Sequence, residues 1–367
     1  MHTKQKHTLV LSSKDVQQIT LNYGFDKLMD DLIARLKAFM AHFDPQKTII
    51  PIRSGFNYLE PYTGLVEWMP LHAKGEKVSI KVVGYHPDNP KQFQLPTILS
   101  TISTYDTQTG HLSGIMDGVF VTALRTGAAS AVASELMGKT DSKVLGLIGC
   151  GAQAVTQLHG ISRIFDLEEV LLYDVDPSAM YSLQDRCAVL DLKVKFTSTS
   201  IENVVQSSDI ITTATSIEVG EGPLFSDLTT KPHLHINGVG ADFPGKVEIP
   251  LDFLHQSFVC PDFKEQAFIE GECQRLKPAQ VNADIIAVMK ETAKYEHLKN
   301  ERTVYDSTGW ALQDHVVMEL FMEYAKELGV GQYIQIENAP EDAKNPYSFA
   351  EENNANNLIK LAALASS

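Results

Sequence analysis

Apolar and polar positions follow two different patterns along the chain. The first pattern extends to about residue 125. An apolar run at 8–11 predicts a short strand, and Ser12 to Asp15 resembles a capping box that opens a helix. The apolar residues that then recur at helical spacing are Leu28, Leu32, Leu36 and Phe39. Short β-like runs follow at 64–69, 78–84 and 97–104. This segment predicts a mostly antiparallel sheet with a helix ahead of it.

From Thr126 onward the pattern alternates between strands and helices. Thr126 to Met137 is rich in alanine and other small residues, which favours a helix with a close-packing face. The apolar run at 143–148 is typical of a buried parallel strand. Further strands are predicted at 169–173, 193–196, 209–213 and 233–239, with helices at 152–165, about 177–189, and 201–206. This alternation indicates βαβ units and a parallel sheet.

Composition and charge limit the class of protein. The chain has 367 residues, of which 44% are hydrophobic and 21% charged, which suits two globular domains. The formal net charge of −15 disfavours binding to nucleic acid or to an anionic membrane. No stretch approaches the ~20 apolar residues that span a bilayer, and the first residues do not resemble a signal peptide. We therefore expect a soluble, cytoplasmic protein.

Four cysteines are present, at positions 150, 187, 260 and 273. None forms a CxxC pair, and no set of His, Cys and carboxylate residues has the spacing of metal ligands. Free thiols in a reducing compartment are the simplest interpretation, so no metal site is predicted.

The sequence Gly149-Cys-Gly-Ala-Gln-Ala follows the apolar strand at 143–148 and opens a helix, which is the context of a dinucleotide-binding fingerprint. Gly149 permits the tight turn, and Gly151 lets a pyrophosphate approach the backbone. The N–H groups at the start of the helix, around Ala152 and Gln153, would face the phosphate charge. The alternative is a glycine-rich turn without a ligand.

Asp174 follows the second strand of the parallel sheet, 25 residues after Gly149. A carboxylate there accepts hydrogen bonds from the adenosine ribose and repels a 2′-phosphate, which favours NAD over NADP. The alternative is that Asp174 only caps the next helix. Together with the loop, Asp174 predicts a Rossmann domain that binds NAD.

The change in the pattern of apolar and polar residues near residue 126 predicts the domain organisation of an α/β protein. Residues 126–314 form the Rossmann domain, and residues 1–125 form a smaller α+β domain. A helical pattern at 312–328 predicts that the chain returns to the smaller domain, so we expect about 315–367 to complete it.

Three cations lie on segments that do not resemble plain surface: Arg53 in Pro-Ile-Arg-Ser-Gly, Lys81 in an apolar strand, and Arg125 at the domain junction. A cation in such a setting needs an anionic partner. A substrate carboxylate is one candidate, because arginine binds it through two parallel hydrogen bonds. An internal salt bridge for each cation is the alternative.

Two acids are candidates for proton transfer. Glu67 lies within an apolar strand, and Asp242 follows a strand of the parallel sheet. Ligands bind outside the carboxyl ends of such strands, so Asp242 would face the nicotinamide and could accept a proton from a substrate amine. An Asx-turn before Pro244 is the alternative for Asp242. His86 stands in a polar turn, where a loop histidine is a simpler interpretation than a catalytic one.

Several separate motifs resemble the ornithine cyclodeaminase/mu-crystallin family over about residues 48–328. They are Lys81-Val-Val-Gly-Tyr-His-Pro-Asp-Asn, Ala123-Leu-Arg-Thr-Gly-Ala-Ala, Ile148-Gly-Cys-Gly-Ala-Gln, Gly240-Ala-Asp-Phe-Pro-Gly-Lys and Tyr305-Asp-Ser-Thr-Gly-Trp-Ala-Leu-Gln-Asp. The resemblance implies a Rossmann domain joined to a smaller domain that binds substrate and forms a homodimer.

The resemblance also implies roles for individual residues. Arg53, Lys81 and Arg125 would hold the substrate α-carboxylate. Glu67 and Lys81 would assist the chemistry in the pocket, and Asp242 would be the acid/base. The residues implied to lie near the cofactor, beyond the glycine-rich loop and Asp174, are Thr126, Lys246 and Ser307.

Within the family, the resemblance favours NAD-dependent cyclisation of L-ornithine, or of a close basic amino acid, to L-proline and ammonia. In that reaction a hydride leaves Cα and returns to it through an imine. Asp242 in Asp-Phe-Pro-Gly-Lys and the stretch Ile269-Glu-Gly-Glu fit this branch. A net oxidoreductase, either an alanine dehydrogenase or a cyclic ketimine (pyrroline-2-carboxylate) reductase, is the alternative. A dinucleotide-binding protein without catalysis would need neither Lys81 nor Asp242.

Overall fold

The computed structural model describes residues 7–226, 229–338, 340, 342–348 and 350. Part of the predicted completion of the smaller domain, 351–367, lies outside the described residues, as does the beginning of the chain at 1–6.

The first part of the chain builds strands and a pair of amphipathic helices. The helix that begins at Ser13 has the predicted capping box, because Ser12 and Asp15 bind each other's backbone N–H. The next helix buries Leu28, Leu32 and Leu36 at the predicted helical spacing. The elements are β1 (Thr8–Leu11), α1 (Ser13–Tyr23), α2 (Phe25–Ala41), β2 (Thr48–Ile49), β3 (Ser54–Tyr58), β4 (Gly64–Ala73), β5 (Lys77–Tyr85), α3 (Asn89–Gln92), β6 (Ile98–Asp106) and β7 (Leu112–Asp117).

The second part of the chain alternates between strands and helices as predicted. Its strands are short, and most are fully buried. The elements are α4 (Val119–Met137), β8 (Val144–Ile148), α5 (Ala152–Ser162), β9 (Glu169–Tyr173), α6 (Pro177–Arg186), β10 (Lys195–Ser198), α7 (Ile201–Ser207), β11 (Ile210–Thr213), β12 (His235–Gly238), α8 (Leu251–His255), β13 (Phe258–Pro261), α9 (Lys264–Ala267), α10 (Ile285–Lys290), α11 (Thr292–Tyr295), β14 (Thr303–Asp306), α12 (Ala311–Leu328) and β15 (Gln332–Ile334).

The strands in the described part of the chain form two sheets. The first has the order β15-β1-β7-β6-β5-β4-β2, with β3 paired to β4, and it is antiparallel except where β1 pairs with β7. The second is parallel, with the order β10-β9-β8-β11-β12-β14-β13. The strand order of the second sheet reverses direction between β8 and β11. A doubly wound sheet binds its ligand outside the carboxyl ends of the strands at such a point.

Helix α12 returns the chain to the first sheet, as the sequence predicted. It packs against β4 and β5 and against α1, α2 and α4. Three pairs of side chains connect β5 to this helix: Lys77 with Glu319 at 2.6 Å, Ser79 with His315 at 2.8 Å, and Lys81 with Asp314 at 3.0 Å. Residues 77, 79 and 81 alternate along the strand, so they share the face that α12 covers.

Helix α4 contacts elements of both sheets, and the predicted boundary between residues 125 and 126 falls inside it. It packs closely on α5 through two glycines. A Cβ added at Gly127 would lie 2.1 Å from the carbonyl oxygen of Thr156, and one at Gly160 would lie 2.4 Å from that of Gly127. The division into domains at this boundary stays a prediction.

The sequence did not predict β2, β3, β7, β13, β14 or β15. Most of these strands have two to five residues, too few to establish a period. Of the helices in the described part of the chain, none combines the length and apolar character that crossing a bilayer requires.

Candidate active site

A cavity of about 350 Å³ lies between the first sheet and the carboxyl edge of the parallel sheet. It contains every residue that the sequence predicted for substrate binding or catalysis. The charged residues in its wall include Arg53, Glu67, Lys81, Arg125, Asp242 and Lys246. These residues come from segments up to about 190 positions apart, so the fold collects them into one site.

Lys81 lies on the buried face of β5 and is 2% exposed. Its Nζ lies 3.0 Å from both carboxylate oxygens of Asp314 on α12. Burial, followed by the positive charge of Arg125, lowers the pKa of Lys81 to about 7 despite the attraction of Asp314. Lys81 is therefore poised between its charged and neutral forms near neutral pH.

Arg125, on α4, shares Asp314 with Lys81. Its Nε lies 3.1 Å from Asp314 Oδ1, and its Nη1 donates to the side-chain oxygen of Gln313. Asp314 is 1% exposed and is not part of the cavity wall, so it lies behind the two cations. The sequence motif that ends in Gln313-Asp314 was recognised, but neither residue was assigned to the site.

Arg53 is also held by internal partners. Its Nη2 donates to the carbonyl oxygens of Thr308 and, at 2.7 Å, Gly309. Its Nη1 lies 3.1 Å from Glu270 and 3.7 Å from Glu67. The internal salt bridges that the sequence left open as the alternative are therefore present, and binding of a substrate carboxylate stays a prediction. Each cation has an internal acidic partner, and all three face one cavity.

Two of the acids around Arg53 have raised pKa values. Burial raises the pKa of the Glu67 carboxyl, although the charge of Arg53 opposes the shift. Burial raises the pKa of Glu270 to about 8, again against Arg53. Burial thus disfavours the charged forms of both acids beside the three cations, which suits binding of an anionic group.

Asp242 follows β12 and its side chain is about one-third exposed, with Oδ1 2.9 Å from Lys246 Nζ. An Asx-turn to Pro244 is wrong, since proline has no N–H to donate. Lys246 is buried, which disfavours its charge, but Asp242, Tyr85 and Glu248 together raise its pKa. Asp242 is thus a solvent-accessible carboxyl group held in place by Lys246.

The glycine-rich loop has the geometry that the motif predicted. Gly149 has a φ of +93°, and an added Cβ would lie 2.5 Å from the carbonyl oxygen of Ala214. A Cβ at Gly151 would meet no protein atom within 4 Å. Helix α5 begins at Ala152, and within the described residues no side chain caps it. The exposed turn thus leaves room and free N–H groups for a phosphate, so the residues present fit a dinucleotide.

Asp174, which follows the next strand of the sheet, binds the backbone of this loop. Its Oδ2 accepts the backbone N–H of Cys150 at 2.6 Å, and its Oδ1 accepts that of Asp176 at 2.9 Å. Arg186, which the sequence analysis did not single out, donates to the carbonyl oxygens of Cys150 and Gly151. Asp174 thus shapes the loop in addition to the ribose contact predicted for it.

The remaining predicted cofactor residues lie at the same edge of the parallel sheet. Thr126 follows Arg125 on α4, and Ser307 follows β14, where its N–H donates to the Gly238 carbonyl. Both side chains are buried. Their contact with a cofactor stays a prediction.

Buried acids that the sequence did not assign brace the loops at this edge. Glu248 accepts the N–H groups of Thr215 and Gly240, and Glu272 accepts those of Glu248 and Ile249. Burial raises the pKa of Glu272 to about 8. Asp262 accepts backbone N–H groups of the chain around Thr308. Asp306 accepts the backbone N–H groups of Glu272 and Cys273. Burial raises the pKa of Asp306 to about 7.

His86 accepts or donates a hydrogen bond at 2.7 Å with the hydroxyl of Tyr58. It lines a smaller neighbouring cavity of about 240 Å³ and not the wall that contains Lys81 and Asp242. Its position agrees with the interpretation as a loop histidine.

Comparison with known proteins extends these observations. A model of the ornithine cyclodeaminase/mu-crystallin family matches residues 13–329. An L-lysine cyclodeaminase of Streptomyces rapamycinicus is 38% identical over 346 residues, which cover 93% of this chain and 99% of the relative.

Two solved structures are similar over most of the chain. A lysine cyclodeaminase, described for its recognition of L-lysine, L-ornithine and L-2,4-diaminobutyric acid, has a TM-score of 0.90 and 43% identity, and the match covers 93% of this chain and 99% of that one. An archaeal alanine dehydrogenase dimer with bound NAD has a TM-score of 0.77 and 28% identity, with coverage of 90% and 100%.

Proposed function

The chain belongs to the ornithine cyclodeaminase/mu-crystallin family, and from that premise we propose that it cyclises a basic L-α,ω-diamino acid with loss of ammonia. L-Lysine would give L-pipecolate, and L-ornithine would give L-proline. The chain is an NAD-binding enzyme of this family. The substrate and the direction of net chemistry are the proposed part.

The observation that carries the proposal is the distribution of charge in the cavity. Arg53, Lys81 and Arg125 supply cations for one carboxylate, while Glu67 and Asp242 line the same cavity. A diamino acid carries one carboxylate and two amines, so it matches both sets of groups. L-Alanine has a single amine, so one of the two acids would have no substrate amine from which to accept a proton.

Each charged group then has a role in moving protons. NAD⁺, which the glycine-rich loop at Gly149–Gly151 and Asp174 would hold, would supply the acceptor and donor of the Cα hydride, so the net reaction would be redox-neutral. Lys81 and Arg125 hold the α-carboxylate through charge-assisted hydrogen bonds. Asp242 accepts a proton as the α-amine becomes an imine, and it returns a proton to the same nitrogen as ammonia leaves. Glu67 accepts the proton that the ω-ammonium loses before it attacks the imine carbon.

L-Lysine stands beside L-ornithine as the candidate substrate. The sequence motifs favoured ornithine, whereas a relative that matches 93% of the chain at 38% identity is a lysine cyclodeaminase. The two substrates differ by one methylene, which a pocket discriminates by only about 1–3 kcal/mol. We therefore expect activity on both, with different values of kcat/KM.

Incubation of the purified protein with NAD⁺ and each amino acid in turn tests the proposal. Equal amounts of ammonia and of pipecolate or proline, measured by mass spectrometry, with no lasting NADH absorbance, are the expected result. If both diamino acids are returned unchanged while the protein demonstrably binds NAD⁺, the proposal is wrong.

Net oxidoreduction is the second candidate, and the similarity to the NAD-bound alanine dehydrogenase favours it. The same assay separates the two. Stoichiometric NADH with L-alanine as substrate identifies a dehydrogenase, and NADH consumption with a cyclic imine identifies a reductase.

A homodimer is the proposed assembly, and one face of the first sheet supports it. Phe56, Val82 and Leu99 lie on the face opposite Lys81, and each side chain is at least 39% exposed. Exposed apolar side chains grouped on one face are typical of an interface.

We expect the protein to sediment at twice the mass of one chain, and Leu99→Lys to shift it toward the monomer. The matched control is Leu21→Lys on α1, where Leu21 is 72% exposed and distant from this face. Sedimentation as a monomer by the unaltered protein would exclude the dimer, and equal behaviour of the two variants would exclude this face.

A further inference from the structure

Asp314 is the acid that two of the proposed carboxylate-binding cations share. Its two oxygens lie 3.0 Å from Lys81 Nζ, and Oδ1 lies 3.1 Å from Arg125 Nε. All three side chains are at most 6% exposed, so water contributes little to their charge balance. Two cations and one anion leave a single net positive charge, which matches one substrate carboxylate.

The backbone brings Asp314 to this position from a distant part of the chain. Helix α12 packs across β5, and the pairs Lys77–Glu319 and Ser79–His315 fix the alignment of the two elements. Gln313, next to Asp314, binds Arg125 Nη1. Arg125 therefore faces α12 through two nitrogens, Nη1 by a hydrogen bond to Gln313 and Nε by an ion pair with Asp314, and these contacts orient its guanidinium relative to Lys81.

The groups that face Lys81 come from four segments, and they act in opposite directions. Arg125 on α4 and Arg53 ahead of β3 repel its charge, while Asp314 on α12 and Glu67 on β4 attract it. Glu67 pairs with Arg53 at 3.7 Å, whereas both oxygens of Asp314 lie 3.0 Å from Lys81 Nζ. Asp314 is then the principal anion that keeps the ammonium of Lys81 charged between two arginines.

We propose that Asp314 is the positioning residue that keeps Lys81 cationic and aligns it with Arg125 for the substrate carboxylate. The inference rests on the proposed function, since it assigns that carboxylate to Lys81 and Arg125. Asp314 lies behind the cations and acts through them without contact with the substrate.

The pH dependence of substrate capture tests this role. The pKa of Lys81 in the free enzyme is about 7, so binding of a carboxylate should weaken as pH rises through that value. In Asp314→Asn the carboxylate charge is gone and the two arginines remain, so the pKa of Lys81 falls further. We expect kcat/KM, whose pH profile reports the free enzyme, to begin its decline at least about one pH unit lower. At pH 8 the loss relative to the unaltered enzyme is then about tenfold or more.

The control is Glu319→Gln, which removes a pair between the same strand and the same helix at 2.6 Å, but away from the cavity. It should keep the profile of the unaltered enzyme. NAD⁺ affinity should be unchanged in both variants. A profile of Asp314→Asn that coincides with that of the unaltered enzyme would overturn the proposal, whatever the change in thermal stability.

Two further measurements keep the test decisive. If Asp314→Asn does not fold, Asp314→Glu takes its place, because it retains the charge but displaces the carboxylate. A shifted pH profile of kcat/KM in this variant supports the role of Asp314. An unchanged profile with only a lower Tm refutes it. If the enzyme turns over neither diamino acid, calorimetric binding of L-pipecolate is measured against pH. If binding begins to weaken at lower pH in the variant than in the unaltered protein, the role of Asp314 is supported even though the proposed reaction has failed. If binding weakens at the same pH in both, or if the unaltered protein does not bind L-pipecolate, the role of Asp314 is refuted.

Discussion

Asp242→Asn should lower kcat by about 10²- to 10⁴-fold, the range that general acid–base catalysis contributes. Asparagine has nearly the same shape and can still accept a hydrogen bond from Lys246, which lies 2.9 Å from Asp242 in the unaltered protein. It cannot take up a proton from the substrate amine. The chemical step should therefore fail in a site whose geometry is preserved.

Steady-state turnover and fluorescence titration with NAD⁺ together check this prediction. The dissociation constant for NAD⁺ should change by no more than about twofold, since Asp242 is not expected to touch the phosphates. Glu221→Gln is the matched control, because Glu221 is an exposed acid near the same edge of the sheet and is not part of the cavity wall. A collapse of NAD⁺ affinity in Asp242→Asn would mean that Asp242 supports the cofactor and not the proton transfer.

Gly151→Val should weaken NAD⁺ binding by about 10- to 100-fold, which corresponds to the loss of one charge-assisted hydrogen bond of about 1.5–3 kcal/mol. A side chain at Gly151 meets no protein atom within 4 Å, and its φ of −76° is allowed for any residue. The added methyl groups therefore occupy only the space that the pyrophosphate needs. Thermal unfolding without cofactor should be unchanged.

The same substitution at Gly127 should have the opposite signature. There an added Cβ lies 2.1 Å from the backbone oxygen of Thr156, and no rotamer relieves a clash with backbone. We expect Gly127→Val to lower the free energy of unfolding by about 3 kcal/mol through separation of α4 and α5. Denaturant unfolding of the two variants side by side distinguishes a phosphate-binding glycine from a packing glycine. Equal destabilisation of both would contradict the role given to Gly151.

The architecture was largely readable from local patterns. The run at 143–148 and the glycines after it lie at successive positions of one strand, turn and helix, so a short window of sequence contains the whole signal. Strands such as β13 and β14 were missed although they are as long as the predicted β11 and β12, because their burial comes from neighbours far away in the sequence. Periodicity has no information about contacts of that kind.

The sequence predicted residues of the candidate site only where a charged residue interrupts or follows an apolar segment. Lys81 stood out because it lies in a hydrophobic strand, and Asp242 because it follows one. Asp314 gave no such signal, because α12 is buried around most of its circumference and an inward-facing acid cannot be told from an outward-facing one. The bracing acids Glu272 and Asp306 were missed for a related reason: their partners are backbone N–H groups about 23 to 34 positions away.

The uninterrupted path of α4 has a consequence for exchanging parts between relatives. Arg125 and Thr126 are consecutive residues of one helix, so the predicted anchor of the substrate and the predicted neighbour of the cofactor keep a fixed spacing and rotation. A chimera spliced between them would join half-helices that each pack against the neighbours of a different protein, which would displace the guanidinium of Arg125 from its partners. Splice points at Gly118 and Gly138, which flank the helix, would transfer α4 as a whole. They would preserve the relative positions of Arg125 and Thr126, and so of the substrate and cofactor predicted to bind there.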